Sequence, residues 1–233
     1  MARAVSAGGG ASESLSYVQT LLGDLELARG RLAAAAHAYG AALASMPGYV
    51  PALAGRARLT AARGDLAGAI AGWKKVVTLL PLPGYAIALG EAELAAGRDK
   101  AGRADLALVR VQERLLADAG VDTDVELAIY EADHGSKRRA VALAREAWAT
   151  APSVRSADAL GWALTRSGSR RAGLRWAHRA LRLGSLDPTF RYHAGIAAGD
   201  TVEGRRNLRL ALRHGLDAYP LYANRARAAL EER

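Results

Sequence analysis

Residues Leu22–Pro81 read LGDLELARGRLAAAAHAYGAALASMPGYVPALAGRARLTAARGDLAGAIAGWKKVVTLLP, one pattern written nearly twice. Gly30, Ala35, Ala42 and Pro47 return as Gly64, Ala69, Val76 and Pro81, each 34 residues on. Along the whole chain the turn glycine recurs at Gly30, Gly64, Gly97, Gly135, Gly168 and Gly199, at intervals of 34, 33, 38, 33 and 31. Five residues after each stands a small residue: Ala35, Ala69, Gly102, Ala140, Gly173 and Gly204. Seven before the first five stand Gly23, Ala57, Gly90, Ala128 and Gly161, and Gly195 is the displaced counterpart in the sixth. Self-similarity at this period marks stacked supersecondary units. Two helices joined by a tight turn pack antiparallel, and where their axes come closest only Gly or Ala leaves room. Tyr39, Trp73, Leu106 and Leu208, four residues beyond the small one, then fill the space toward the next helix.

This pattern resembles the tetratricopeptide repeat family, whose unit is a helix–turn–helix of about 34 residues. The likeness is carried by Leu22-Gly23, Gly30, Ala35, Tyr39, Ala42 and Pro47, then by Gly64, Asp65, Ala69, Trp73 and Pro81. Gly135, Ala140, Ala147 and Pro152 continue it, followed by Leu160-Gly161, Gly168 and Ala180. It covers roughly residues 16 to 217, and departs from the family in three places. The third unit lacks its closing proline, Ser185 stands where the fifth should have one, and the sixth has a short first helix. The resemblance implies an all-α, right-handed superhelical solenoid of antiparallel helix pairs. Its units are 16–49, 50–82, 83–120, 121–153, 154–186 and 187–217, behind a disordered tail (1–14) and ahead of a capping helix (218–233).

Composition agrees with one helical array. The chain has 233 residues and no cysteine, which excludes disulfides, thiol catalysis and cysteine-ligated metals. No apolar run approaches the ~20 residues that span a bilayer. The start, MARAVSAGGGASES, lacks the apolar segment of a signal peptide. The expectation is a cytoplasmic protein, or a soluble extracytoplasmic piece of a longer exported one. Net charge is +9, unevenly spread: residues 1–133 hold 13 basic and 15 acidic side chains, residues 134–233 hold 19 and 8. Arginine outnumbers lysine 28 to 4, which together with abundant Ala and Gly points to codon bias.

Local signals place the helix ends. Ser16 with Gln19 forms a capping box for the first helix, and Thr123 with Glu126 restarts the chain after Asp118–Asp124. Asp65, Ser136, Ser169 and Asp200 follow their glycines as N-caps, and the glycines themselves read as helix C-caps. Pro81-Leu82-Pro83-Gly84 is a stiff connection.

Residues suited to chemistry are sparse. The five histidines, His37, His134, His178, His193 and His214, show no metal-binding spacing, and no nucleophile elbow, phosphate loop or dinucleotide fingerprint is present. The expected function is therefore a non-catalytic scaffold without cofactor or metal, monomeric or weakly dimeric, holding a protein or peptide. The family resemblance places ligand contacts in a concave groove, the inner wall made largely by the first helix of each unit. By register these are Tyr17, Thr20, Asp24, Arg58, Ile87, Glu91 and Leu94, then Val125, Ile129, Asp158, Trp162, Thr165, Tyr192, His193 and Ile196. Trp162 is the favoured anchor, with Asp158 one turn before it. Packing of Trp162 and Tyr192 against neighbouring helices or the terminal cap suits the same residues. The family's carboxylate clamp has no counterpart at Thr20, Asp24 and Gly55, and its asparagine ladder none in a chain with only Asn207 and Asn224. An alternative surface is basic. Arg171, Arg175, His178, Arg179 and Arg182 share one helix face, as do Arg206, Arg209 and Arg213, and such rows on the outer, convex side suit a polyanion such as RNA or DNA, or an anionic membrane surface.

Overall fold

The computed structural model describes residues 12–118 and 124–231. Those residues form six helix pairs and a last helix, with no strand among them. The pairs are α1 (Ser12–Ala28) with α2 (Leu32–Ser45), α3 (Val50–Ala62) with α4 (Leu66–Leu79), and α5 (Pro83–Ala95) with α6 (Asp99–Asp118). Next come α7 (Asp124–His134) with α8 (Lys137–Thr150), α9 (Val154–Arg166) with α10 (Arg170–Leu181), and α11 (Pro188–Ala198) with α12 (Val202–Arg213). A 3₁₀ turn, Leu216–Ala218, precedes α13 (Pro220–Glu231). The chain forms two compact units: residues 12–105 with 213–224, and residues 106–212 with 225–231. The border falls inside α6. The tail expected at 1–14 lies outside the described residues up to 11.

In the first unit the small-residue rows sit where helices touch. Ala35 and Ala69 are fully buried. Tyr39 is clasped between Gly23 and Gly55: a methyl group on either would come within 2.4 Å or 2.2 Å of its ring. Gly102 lies so close to α5 that a Cβ would stand 2.7 Å from the Gly90 carbonyl. The main apolar cluster joins Ala54, Ala57, Ile70, Trp73, Val76, Leu89 and Ala92.

The second unit repeats the rule. Ala140 is fully buried. A Cβ on Gly173 would meet the Gly161 carbonyl at 2.7 Å, and one on Gly195 the Leu208 side chain at 2.7 Å. Ala157, Ala180 and Phe190 form a further cluster with Trp148 and Trp176 against it.

Several expected helix ends differ in detail. The first helix begins at Ser12, so Ser16 is inside it, buried, and its one hydroxyl proton lies within reach of Ser12 O (2.7 Å) and, across the pair, Ala42 O (3.0 Å). Gln19 accepts from Ser45 instead of closing a capping box. Asp65 and Ser136 do cap, accepting from Gly68 N–H (2.8 Å) and Arg139 N–H (3.3 Å). Ser169 holds the cap position without a side-chain bond. At α12 the cap is Thr201, which accepts from Gly204 N–H (3.0 Å), because Asp200 is drawn to Arg205 (2.7 Å). The expected box partner Thr123 lies outside the described residues, and Glu126 pairs with Arg155. Gly30, Gly64, Gly97, Gly168 and Gly199 have positive φ, the conformation a C-cap glycine supplies. Gly135 does not; it stays small because the Glu131 carboxylate crosses it, accepting from Ser136 N–H at 2.6 Å.

Candidate protein-interaction faces

In the first unit the first-helix face is built around Asp24, Arg58 and the segment after α12. Tyr39 Oη donates to Asp24 Oδ1 at 2.7 Å, and Arg58 Nη1 lies 3.7 Å from the same oxygen. Tyr219 hydrogen-bonds Arg58. Burial works against the Arg58 charge, but Tyr219, Asp24 and Tyr39 more than offset it and raise its pKa. The Tyr39 hydroxyl is held far above its usual range, first by burial and then by the Asp24 carboxylate. Around this polar centre Leu27, Tyr39 and Leu59 pack on Ala218, with Tyr219 against them. The approach is close enough to involve backbone: a Cβ on Gly215 would stand 2.5 Å from Leu27 O, and one on Gly30 2.9 Å from Arg213 O. The chain's own segment Leu216–Tyr219 thus covers part of this face.

Another part stays open. Tyr17 is 54% exposed, and Tyr49 and Tyr85 are half-buried. The Tyr49 hydroxyl is pushed up by burial first, then by Glu13, Tyr17 and Tyr85 around it. Tyr85 leans on Trp73 with ring centroids 6.0 Å apart. Glu91 on α5 is half-buried.

In the second unit the expected contact residues meet one another. Trp162, Tyr192, His193 and Asp158 are all interior, Trp162 at 1% exposure. The Trp162 ring stacks on His193 (centroids 4.2 Å, planes 15° apart), and its Nε1 donates to Asp133 Oδ2 at 3.0 Å. Asp133 also faces Arg225 of α13 (3.4 Å) and Arg166 (3.7 Å), whose guanidinium lies 5.4 Å from the Trp162 ring. His193 Nδ1 and Asp158 Oδ2 are 2.8 Å apart. Burial lowers the His193 pKa, but the Asp158 carboxylate overcomes it, so the net shift is upward. Asp158 is also raised, by burial, with His193 opposing. Tyr192 is pushed up to about 12, mainly by burial, with Arg225 opposing and Asp133 adding to it. Trp162 stands on α9, and its ring is roofed by Tyr192 and His193 of α11. Ile129 is half-buried.

Sequence reading missed a recurring carboxylate. Glu26, Glu93 and Glu131 each stand four residues before a turn glycine, and all three are buried. Glu26 binds Arg31, Glu93 lies 3.1 Å from Lys74 Nζ, and Glu131 takes Arg110 (3.3 Å) and Ser136 N–H. The signal was the shared spacing.

Among the described residues no group of three or more His, Asp or Glu is placed to hold a metal ion, and no helix is long and apolar enough to cross a membrane. No family model matches the chain, and no curated protein does. Among solved structures it is similar to the crystal structure of MamA protein, with 21% identity, 72% of this chain and 90% of that one covered, and a TM-score of 0.38. It is also similar to the TPR2AB domain of yeast Sti1 in complex with pHSP90, with 16% identity, 93% and 97% covered, and a TM-score of 0.36. At these values the fold rests on the chain's own helix pairs, glycine contacts and period. Those are the features of an all-α array of helix pairs repeating about every 34 residues.

Proposed function

We propose that this chain is a non-catalytic protein-interaction scaffold that receives a peptide segment on the first-helix face of its helix pairs. One observation carries the reading: in the first unit that face already receives a short segment, Leu216–Tyr219, through Leu27, Leu59, Tyr39 and Arg58. A surface that seats one short peptide stretch by an aromatic ring, a guanidinium and a small apolar bed suits another of similar make. Tyr17, Asp24, Arg58 and Glu91 are the contact residues on this reading, with Ile129 in the second unit. Trp162, Tyr192, His193 and Asp158 back the face from inside. A photo-crosslinking residue placed at Tyr17 should join a partner polypeptide that the same residue at Val202, 85% exposed on α12, does not reach. Equal yields at both positions, or none at Tyr17, would sink the reading.

A further inference from the structure

The second helices of the second unit carry charge that a peptide-binding face does not use. From Arg170 to Arg182 every exposed position is basic: Arg170, Arg171, Arg175, His178, Arg179 and Arg182. On α12, Arg206 and Arg209 are exposed too. Several other arginines of this unit meet acids: Arg110 and Arg139 meet Glu131, Arg155 meets Glu126 and Arg205 meets Asp200, while Arg138 and Arg145 on α8 are exposed like the rows above. Among the described residues no carboxylate pairs with Arg171, Arg175, Arg179, Arg182, Arg206 or Arg209. Codon bias sets how many arginines a chain has, but it does not decide which ones lack acids. Like charges one turn apart repel along a helix, so these rows work against their own fold until an anion meets them. The two helices are tied together by His178 Nε2 and Glu203 Oε1 at 2.5 Å, which brings the rows side by side.

Two half-buried aromatic rings, Trp148 on α8 and Trp176 on α10, border this face. Trp148 and Trp176 meet edge to face at 4.8 Å, and the Arg179 guanidinium lies 4.5 Å from one ring centre and 5.5 Å from the other. We propose that α10 and α12 form a binding face for single-stranded nucleic acid, gripped by its phosphates. Guanidinium forks match phosphate oxygens in pairs. Along α10 Arg171, Arg175 and Arg179 recur every four residues, about 6 Å of rise, so they track an extended backbone. Tryptophan rings beside a basic track are the second component of sequence-tolerant single-strand sites. A membrane surface is the weaker match, because large apolar side chains must enter the headgroup boundary. Between Arg170 and Arg182 no apolar position is exposed; Leu183, Leu186 and Val202 stand outside the basic rows, past the end of α10 and at the start of α12.

The test uses the full chain with fluorescein-labelled oligouridylate and oligothymidylate, read by anisotropy across a salt series. Both oligonucleotides should bind, with log affinity falling linearly in log salt. The triple variant Arg175→Glu, Arg206→Glu, Arg209→Glu removes no internal ion pair, and its circular dichroism should match wild type. It should bind at least ~10-fold more weakly, with the salt slope flatter by about 2, three contacts at ~0.7 each. Arg98→Glu, exposed in the first unit, should leave binding unchanged. Tighter binding of the uridylate than the thymidylate would make RNA the natural source. Wild type that binds neither oligonucleotide overturns the proposal, as does a triple variant with unaltered affinity and slope. Capture by phosphatidylserine vesicles without oligonucleotide binding overturns it in favour of a membrane.

Discussion

Tyr39 and its two glycines offer a test in which the same chemical change has opposite signs at two sites. A Cβ added at Gly55 would lie 2.2 Å from Tyr39 Cε1 and 2.5 Å from Cζ. Ordinary carbon contacts are about 3.5–4.0 Å. The ring has nowhere to go: it is fully buried, its hydroxyl is held by Asp24 at 2.7 Å, and Gly23 closes the other side. Overpacking of this kind costs ~1–3 kcal/mol, and so deep an overlap belongs near ~3. Replacing Gly by Ala in a helix returns about 1 kcal/mol. Gly55→Ala should therefore lose ~2 kcal/mol, a drop of about 4–8 °C in Tm for a chain of this size. Gly40 lies in α2, exposed, with nothing within 4 Å of an added Cβ, so Gly40→Ala should gain up to ~1 kcal/mol. Urea unfolding followed by far-UV circular dichroism reads both. In a Tyr39→Leu background the overlap should largely vanish and leave the helix-propensity gain, a coupling energy of up to ~3 kcal/mol. If Gly55→Ala raises the midpoint as Gly40→Ala does, the small-residue argument for the helix pairs fails.

Two further outcomes follow from particular contacts. Asp65→Ala and Thr201→Ala should each cost ~1 kcal/mol, and Asp200→Ala under ~0.5, since only the first two cap a helix; a larger loss at Asp200 than at Thr201 contradicts the assignment. His193 and Asp158 both hold their protons more tightly folded than at their free values of 6.5 and 3.8. Stability from such groups is whole below the unfolded value and lost as pH rises through the folded one, so both slopes have the same sign. The urea midpoint should fall as pH climbs above 6.5, and His193→Gln should flatten that limb; a wild-type midpoint that rises there refutes the direction.

The helix pairs were legible because their cause is local and steric. A glycine or alanine must stand where two backbones meet, so Ala35, Ala69, Ala140, Gly161 and Gly173 are both the visible pattern and the physical contact. Caps were legible only where one side chain had no competing partner. Asp65 faces only its own helix start, whereas Asp200 is taken by Arg205 and Ser16 by the Ala42 carbonyl. Gly135 stands at the turn position of the period for a different reason, the Glu131 carboxylate above it. The character of Trp162 was not legible. Periodicity says on which side of a helix a residue stands, but its cover depends on His193 and Tyr192, about thirty residues on, and on the roof they make.

Cover of that kind also bears on how the proposed scaffold would choose a partner. The segment carrying Tyr219 is joined to the face it occupies, and tethered ligands reach effective concentrations in the millimolar range. A free peptide competing for Arg58 and Leu27 meets that concentration at every encounter. If the segment leaves the face uncovered one part in a hundred, the apparent affinity of the competitor is a hundredfold weaker than its intrinsic one. A partner of micromolar intrinsic affinity, about −8 kcal/mol, would then be held at only about −5.5. The edge formed by Tyr17, Tyr49 and Tyr85 carries no such tax, because Tyr17 already stands half in solvent. On the proposed reading, first contact therefore belongs to the tyrosine edge, where flat amphipathic rings offer area at small entropic cost. The Asp24–Arg58 centre is engaged afterwards, by a partner already anchored and so able to compete with Tyr219 on equal, intramolecular terms.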